Sequence, residues 1–222
     1  MLVNADFTRP VIVEPDDYRW TASPQAGVER MMLDRLGAEK ARATSIVRYA
    51  SASHFPLHAH PGGEEILVLS GVFSDSDGDY PAGWYLRNPP GSSHRPFTSP
   101  GAIIFVKLWQ MAQSETQSVR IDTRSETAWR RSEDGDVCPL FSGESEEVSM
   151  LRLAPNARLF NGPVNSAEVL VISGSTSLDG HQYRRGAWMR FPVGAAPNLA
   201  AGPLGACVYV KTGHLINVGL KE

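Results

Sequence analysis

Short apolar runs separated by turn residues set the pattern of this chain. The clearest strand candidates span residues 43–49, 66–73, 103–109, 148–153, 169–172 and 207–211, each rich in β-branched and apolar side chains. Ile66-Leu67-Val68-Leu69 and Val169-Leu170-Val171-Ile172 are apolar at every position, so both faces of those strands should be covered. One stretch is ambiguous. Val28, Met31, Met32 and Leu36 recur at helical spacing, and Gly37 would cap a helix there. Its counterpart at 137–143 is too short for a helix, and both are read as strands.

The pattern occurs twice. Residues 65–71 (EILVLSG) answer 168–174 (EVLVISG), 83–91 (GWYLRNPPG) answer 186–194 (GAWMRFPVG), and 101–107 (GAIIFVK) answer 205–211 (GACVYVK). Upstream, Ile46-Val47-Arg48 answers Met150-Leu151-Arg152, and Trp20 answers Trp129. The offset stays near 103 residues, and the polar stretch 112–127 reads as a linker. The 222 residues therefore read as an all-β tandem, with domains at 1–115 and 116–222. The 20 Gly and 16 Pro suit so many turns.

Chemistry concentrates in the first copy. His58-Ala59-His60-Pro61-Gly62-Gly63-Glu64 is followed by Gly71, and Pro89-Pro90-Gly91 by Ser92-Ser93-His94. Side chains alternate along a strand, so His58 and His60 share a face. Pro61-Gly62-Gly63 is a turn that would return Glu64 to them, with His94 joining from a separate turn. Imidazoles with a carboxylate suit Fe, Mn, Ni, Cu or Zn. The second copy places Asn161, Pro163, Ala167 and Pro197 at the four ligand positions. Glu65, Arg48, Arg87 and Lys107 recur as Glu168, Arg152, Arg190 and Lys211 without a metal set, so they read as structural ion pairs. Arg48 or Lys107 could still face the first pocket and hold an anion.

Other features carry less. Asp75, Asp77 and Asp79 fit a polar hairpin turn better than a calcium loop, because the Gly falls at 78 and Leu86 stands where the closing Glu belongs. His54 and His181 read as surface or turn residues, His214 as lacking a ligand partner, and Glu144, Glu146 and Glu147 as a solvated run. The net charge of −3 gives no nucleic-acid footprint. Neither a signal peptide nor a membrane-spanning run is apparent, and Cys138 and Cys207 make no disulfide framework, so a cytoplasmic protein is expected, with two free thiols favoured over a single disulfide between them.

The two motifs match both halves of the cupin metal-binding signature. Residues 55–71 (FPLHAHPGGEEILVLSG), continued through 75–83 and 88–96, resemble the cupin domain of ChrR-type anti-sigma factors. The resemblance implies a bicupin of two double-stranded β-helix (jelly-roll) barrels. It implies one divalent metal per chain, zinc or iron first and manganese or nickel next, held by His58, His60, Glu64 and His94. Such anti-sigma factors also carry a helical domain with a His-xxx-Cys-xx-Cys zinc motif. That motif is missing here, so a sigma-factor partner is not expected. The expected partner is a small molecule in the N-terminal pocket, with no nucleic acid and no membrane, and the chain is compatible with a homodimer. The implied role is sensing of a small molecule or oxidant. The alternative is an Fe(II)-dependent dioxygenase acting on a diketone- or acylphenol-like substrate.

Overall fold

A computed structural model describes residues 1–38, 40–132, 135–216 and 218. Among the described residues the regular elements are strands, with 3-10 turns at Pro15–Asp17 and Glu126–Ala128. The 28–37 ambiguity resolves to a strand, Val28–Gly37, because its backbone pairs along its length with Ala41–Tyr49. Cross-strand pairing has overridden the helical spacing of the apolar residues. The matching strand of the second copy is Gly135–Ser142. Among the described residues no helix is long and apolar enough to cross a membrane.

Two compact units form, Met1–Ala5 with Arg19–Arg124, and Asp6–Tyr18 with Ser125–Glu222. In the first, hydrogen-bonded neighbours run Leu2–Val3, Val28–Gly37, Ala41–Tyr49, Ala102–Leu108, Glu64–Asp75, Trp84–Asn88, Val119–Asp122. In the second they run Arg130–Ser132, Gly135–Ser142, Glu147–Leu153, Leu199–Thr212, Asn165–Leu178, Trp188–Val193, Val11–Val13. The order is the same, so the sequence repeat is a repeat of fold.

The units differ from a division at 115/116 in two places. Val119–Asp122, inside the expected linker, pairs with Trp84–Asn88 and closes the first unit. Val11–Val13, which precedes the first repeat, pairs with Trp188–Val193 and closes the second. Polarity marked 112–127 as a linker, but an edge strand needs only backbone donors and acceptors, which polar residues also supply.

The repeated residues hold the fold. Gly71 and Gly174 adopt φ of 71° and 70°, and a Cβ there would meet the carbonyl oxygen of Gly101 or Gly205 at 2.0 or 2.3 Å. Only glycine fits both demands. Ile66, Leu67, Val68, Val169, Leu170 and Val171 are buried, so these strands are covered on both faces as their composition requires.

The repeated charges are paired. Buried Arg87 donates to Glu65 at 3.0 Å and makes a two-pronged contact with Glu115 at 2.5 and 2.7 Å. Lys107 donates to Thr44 at 3.0 Å, off the cavity described below. In the second unit Glu168 accepts from Trp188 Nε1 at 2.6 Å and faces His214 Nε2 at 3.1 Å, so His214 has a structural partner. Lys211 pairs with Glu146 at 3.0 Å, which corrects the solvated reading of that glutamate. It is buried because its partner is a fully buried ammonium. Arg48 lies over Trp20 at 4.4 Å and Arg152 over Trp129 at 3.9 Å, a cation–π contact repeated with the fold.

Both cysteines are free, and burial pushes each thiol up to about 11. Native protein should react slowly with a disulfide reagent at neutral pH, and denatured, unreduced protein should release two thiols per chain. A single thiol or none would mean that Cys138 and Cys207 are modified or paired. A second outcome concerns Arg87. Arg87→Ala leaves Glu65 and Glu115 facing each other without their shared cation, and should cost about 3–5 kcal/mol in urea unfolding. A loss below about 1 kcal/mol would show that the pairing is dispensable.

Candidate metal centre

His58–His60 and Ser92–His94 form a two-stranded antiparallel ribbon in which His94 stands opposite His58 and Ser92 opposite His60. Opposite residues share a face, so one side of the ribbon carries all three histidines. Their ring centroids form a near-equilateral triangle of 4.8, 4.8 and 5.0 Å. One nitrogen from each lies within 4.8 Å of the others. His60 and His94 are buried and His58 is exposed, so the triangle has an inner and an outer side.

Glu64 arrives through the Pro61-Gly62-Gly63 turn, closed by a hydrogen bond from Gly63 N to His60 O at 3.1 Å. Its Oε2 lies 3.4 Å from Nε2 of both His60 and His94. The turn needs glycine twice. A Cβ on Gly62 would meet the Trp109 ring at 2.4 Å, and one on Gly63, at φ 75°, would meet Met111 Sδ at 2.3 Å. The chain that covers the turn, not the turn alone, dictates both glycines.

The outer partners fix which atoms face inward. His58 Nδ1 faces the Pro56 carbonyl at 3.0 Å, and His94 Nδ1 faces Asp75 Oδ2 at 3.2 Å. Each acceptor holds the proton on Nδ1, which leaves the Nε2 lone pair directed at the centre. Asn88 Nδ2 donates to Glu64 Oε2 at 3.0 Å, and Arg120 donates to Asn88 Oδ1 at 2.7 Å. Asp75 is held by the backbone N–H of Asp77 at 2.9 Å.

Titration follows these contacts. Burial lowers His60, helped by the two neighbouring histidines and opposed by Glu64. Burial works the same way on His94, but the Asp75 hydrogen bond and the Glu64 charge outweigh it and the net shift is upward. Burial also acts against the Asp75 carboxylate, and the His94 bond and Asp77 N–H reverse it, so Asp75 is lowered. The Tyr49 phenol is raised by burial and by Glu64 and stays protonated.

Electron-pair donors therefore crowd one point, and among the described residues no lysine or arginine contacts them directly, Arg120 reaching Glu64 only through Asn88. That donor set fits a divalent transition metal. Nε2 of His60 and His94, 3.0 Å apart, can share one proton, but this leaves His58 and Glu64 without a common donor.

A cavity of about 310 Å³ opens on His58, His60 and Glu64, lined on its apolar side by Val28, Val47, Val106 and Leu108. Tyr49, Trp109, Arg30 and Arg35 also line it. Arg48 and Lys107, the cations singled out from sequence, do not. His54 stacks on Phe97 at the surface, and exposed His181 contacts Glu14 at 3.2 Å.

Sequence reasoning missed Asp75, Asn88 and Arg120. A signal was present in the repeat. Their counterparts by register are Leu178, Phe191 and Ile12, apolar like Ala167 at the Glu64 position. In the second unit Ala167 and Phe191 belong to the hydrophobic core, with Ile12 and Leu178 packed against it. The polar chain around the first site and the carboxylate it supports are lost together.

Residues 8–112 match the ChrR Cupin-like domain family. The fold is that of the cupins, in tandem. A candidate dioxygenase from Nostoc punctiforme superposes with a TM-score of 0.75 at 14% identity, covering 96% of this chain and 85% of that one. The bacterial pirin YhhW from Escherichia coli, in complex with nickel(II), gives 0.66 at 11% identity over 92% and 98%. A deletion mutant of Bacillus subtilis oxalate decarboxylase gives 0.63 at 13% identity over 91% and 76%. Comparison with curated proteins gives no match.

Outer contacts of this kind usually tune metal affinity by about 10–100-fold. Asp75→Ala and Asn88→Ala should each weaken metal binding by about that factor in a chelator competition. Arg124→Ala should not, since its exposed side chain pairs with Asp122 instead. Equal affinities in all four proteins would show that the outer contacts do not hold the ligands.

Proposed function

We propose that the first unit holds one divalent metal ion through His58, His60, Glu64 and His94, and binds a small organic molecule in the cavity beside it. One observation carries this reading. Three of the four candidate ligands, His58, His60 and Glu64, line a cavity rather than a closed core, and His94 meets His60 and Glu64 just behind them. A purely structural metal needs no such access. The likeness of residues 8–112 to the ChrR Cupin-like domain supports a sensing role for the bound molecule.

The chain's own residues have defined parts in such a site. Asp75 and the Pro56 carbonyl orient His94 and His58. Asn88, held by Arg120, orients Glu64. Trp109 covers the turn and borders the cavity mouth. Tyr49, kept protonated, can donate a hydrogen bond to an occupant.

A second reading is an Fe(II)-dependent dioxygenase. Four protein ligands leave two positions on an octahedral ion, and here the cavity supplies room beside them. Bound iron would supply oxygen activation. The fold shared with the Nostoc candidate dioxygenase is consistent with this and adds no substrate.

Metal analysis of purified protein tests the first reading. One metal per chain is expected, lost in His60→Ala and His94→Ala and kept in Asn161→Ala. A stoichiometry near two would overturn the assignment to a single unit. Saturating metal should also raise the unfolding temperature, because it binds the folded state. Iron-loaded protein that consumes oxygen with a diketone or acylphenol would favour the enzyme over the sensor. No uptake across such compounds would set the enzyme reading aside.

A further inference from the structure

Val28–Gly37 carries a bulge between Met32 and Asp34, and its effect is on the cavity. Before the bulge, Val28 and Arg30 stand opposite Tyr49 and Val47; after it, Arg35 stands opposite Ala43. All six line the cavity. Without the extra residue, Arg35 would fall on the opposite face from Arg30, since their separation is odd and side chains alternate. The bulge therefore brings a second guanidinium onto the cavity wall, a use of bulges common beside binding sites.

Among the described residues no carboxylate pairs with Arg30 or Arg35, and the Arg35 side chain donates to the Ala38 carbonyl. Arg35 is lowered by burial and by the Arg30 charge, so the two are close enough to repel. A like-charged pair on a cavity wall is stabilised by an anion between or before it.

The second unit again separates fold from chemistry. By register, Val137 occupies the place of Arg30 and Ser142 that of Arg35. The charges that recur in both units are the paired ones. These two occur only beside the histidines.

We infer that Arg30 and Arg35 hold the acidic end of an organic carboxylate whose apolar body lies on Val28, Val47, Val106 and Leu108. This rests on the small-molecule reading of the same cavity and adds the chemical class of the occupant. Room for such a molecule is consistent with a cavity of about 310 Å³, near the small end of ligand sites.

The test uses the full-length, metal-loaded protein and matched probes: phenylacetate, hexanoate and benzoate against their amides, by titration calorimetry. At least one acid should bind about tenfold or more tightly than its amide, the scale of a charge-assisted hydrogen bond. Arg30→Gln with Arg35→Gln should erase that preference, and Lys at both positions should restore part of it. Arg48→Gln, on the outer face and paired with Glu29, should change nothing. Metal content and unfolding temperature are measured on every variant, so a misfolded protein is not scored. If no acid is preferred over its amide, or if the preference survives the double Gln variant, the inference is wrong. A protein that takes up no metal yet keeps the arginine-dependent preference would sink the metal reading and leave this one standing.

Discussion

Alternation of side chains across a pleated strand is the constraint on which this protein's chemistry depends. Glu64 and Glu65 are adjacent in sequence, yet one belongs to the site and the other to the framework. On one face of the sheet, register places Glu64 with Asn88, Leu108, Ala43 and Arg35. On the other it places Glu65 with Arg87, Lys107, Thr44 and Asp34. A one-residue slip would exchange the two sets, burying Arg87 at the histidines and removing the carboxylate. The paired charges of the second set therefore fix the register that the first set needs. Breaking an Arg–Glu contact this deeply buried leaves an uncompensated charge, so a slipped register is costly.

The second unit shows what the fold requires when the chemistry is removed. It keeps Gly174, Glu168, Arg190 and Lys211, and with them the strand order. It loses the three histidines, the glutamate, and also Asp75, Asn88 and Arg120 as Leu178, Phe191 and Ile12. Polar groups that orient ligands are costly in a core once nothing is bound there. Replacing all of them by apolar side chains converts a site into a packed interior. Replacing only the ligands would leave Asp75 and Asn88 buried with their partners gone.

Much of this was legible in the sequence, for a physical reason. The repeat exposed the fold because glycines at φ near 70° and paired buried charges tolerate few alternatives. His58, His60 and Glu64 lie within seven residues, so local geometry alone predicts that they meet. The misreadings all involved partners distant in sequence. Residues 112–127 look like a linker until Val119–Asp122 finds its edge and Glu115 its arginine. Asp75 sits in a polar hairpin, as expected, yet its carboxylate is claimed by a histidine 19 residues away. Glu146 looks solvated until Lys211 is seen beside it. Arg30 and Arg35 carry no motif, because a bulge, which leaves no mark in composition, decides their face.

The central claim is that the lone pairs of His58, His60, Glu64 and His94 meet on one metal ion. Anomalous scattering from crystals of the metal-loaded protein, collected at the absorption edge of that metal, tests it most directly. The account predicts one strong peak per chain, within bonding distance of a nitrogen of each histidine and an oxygen of Glu64, with at least one further position open to the cavity. A peak elsewhere, a second peak beside Asn161 and Pro197, or no peak among the three histidines would contradict it.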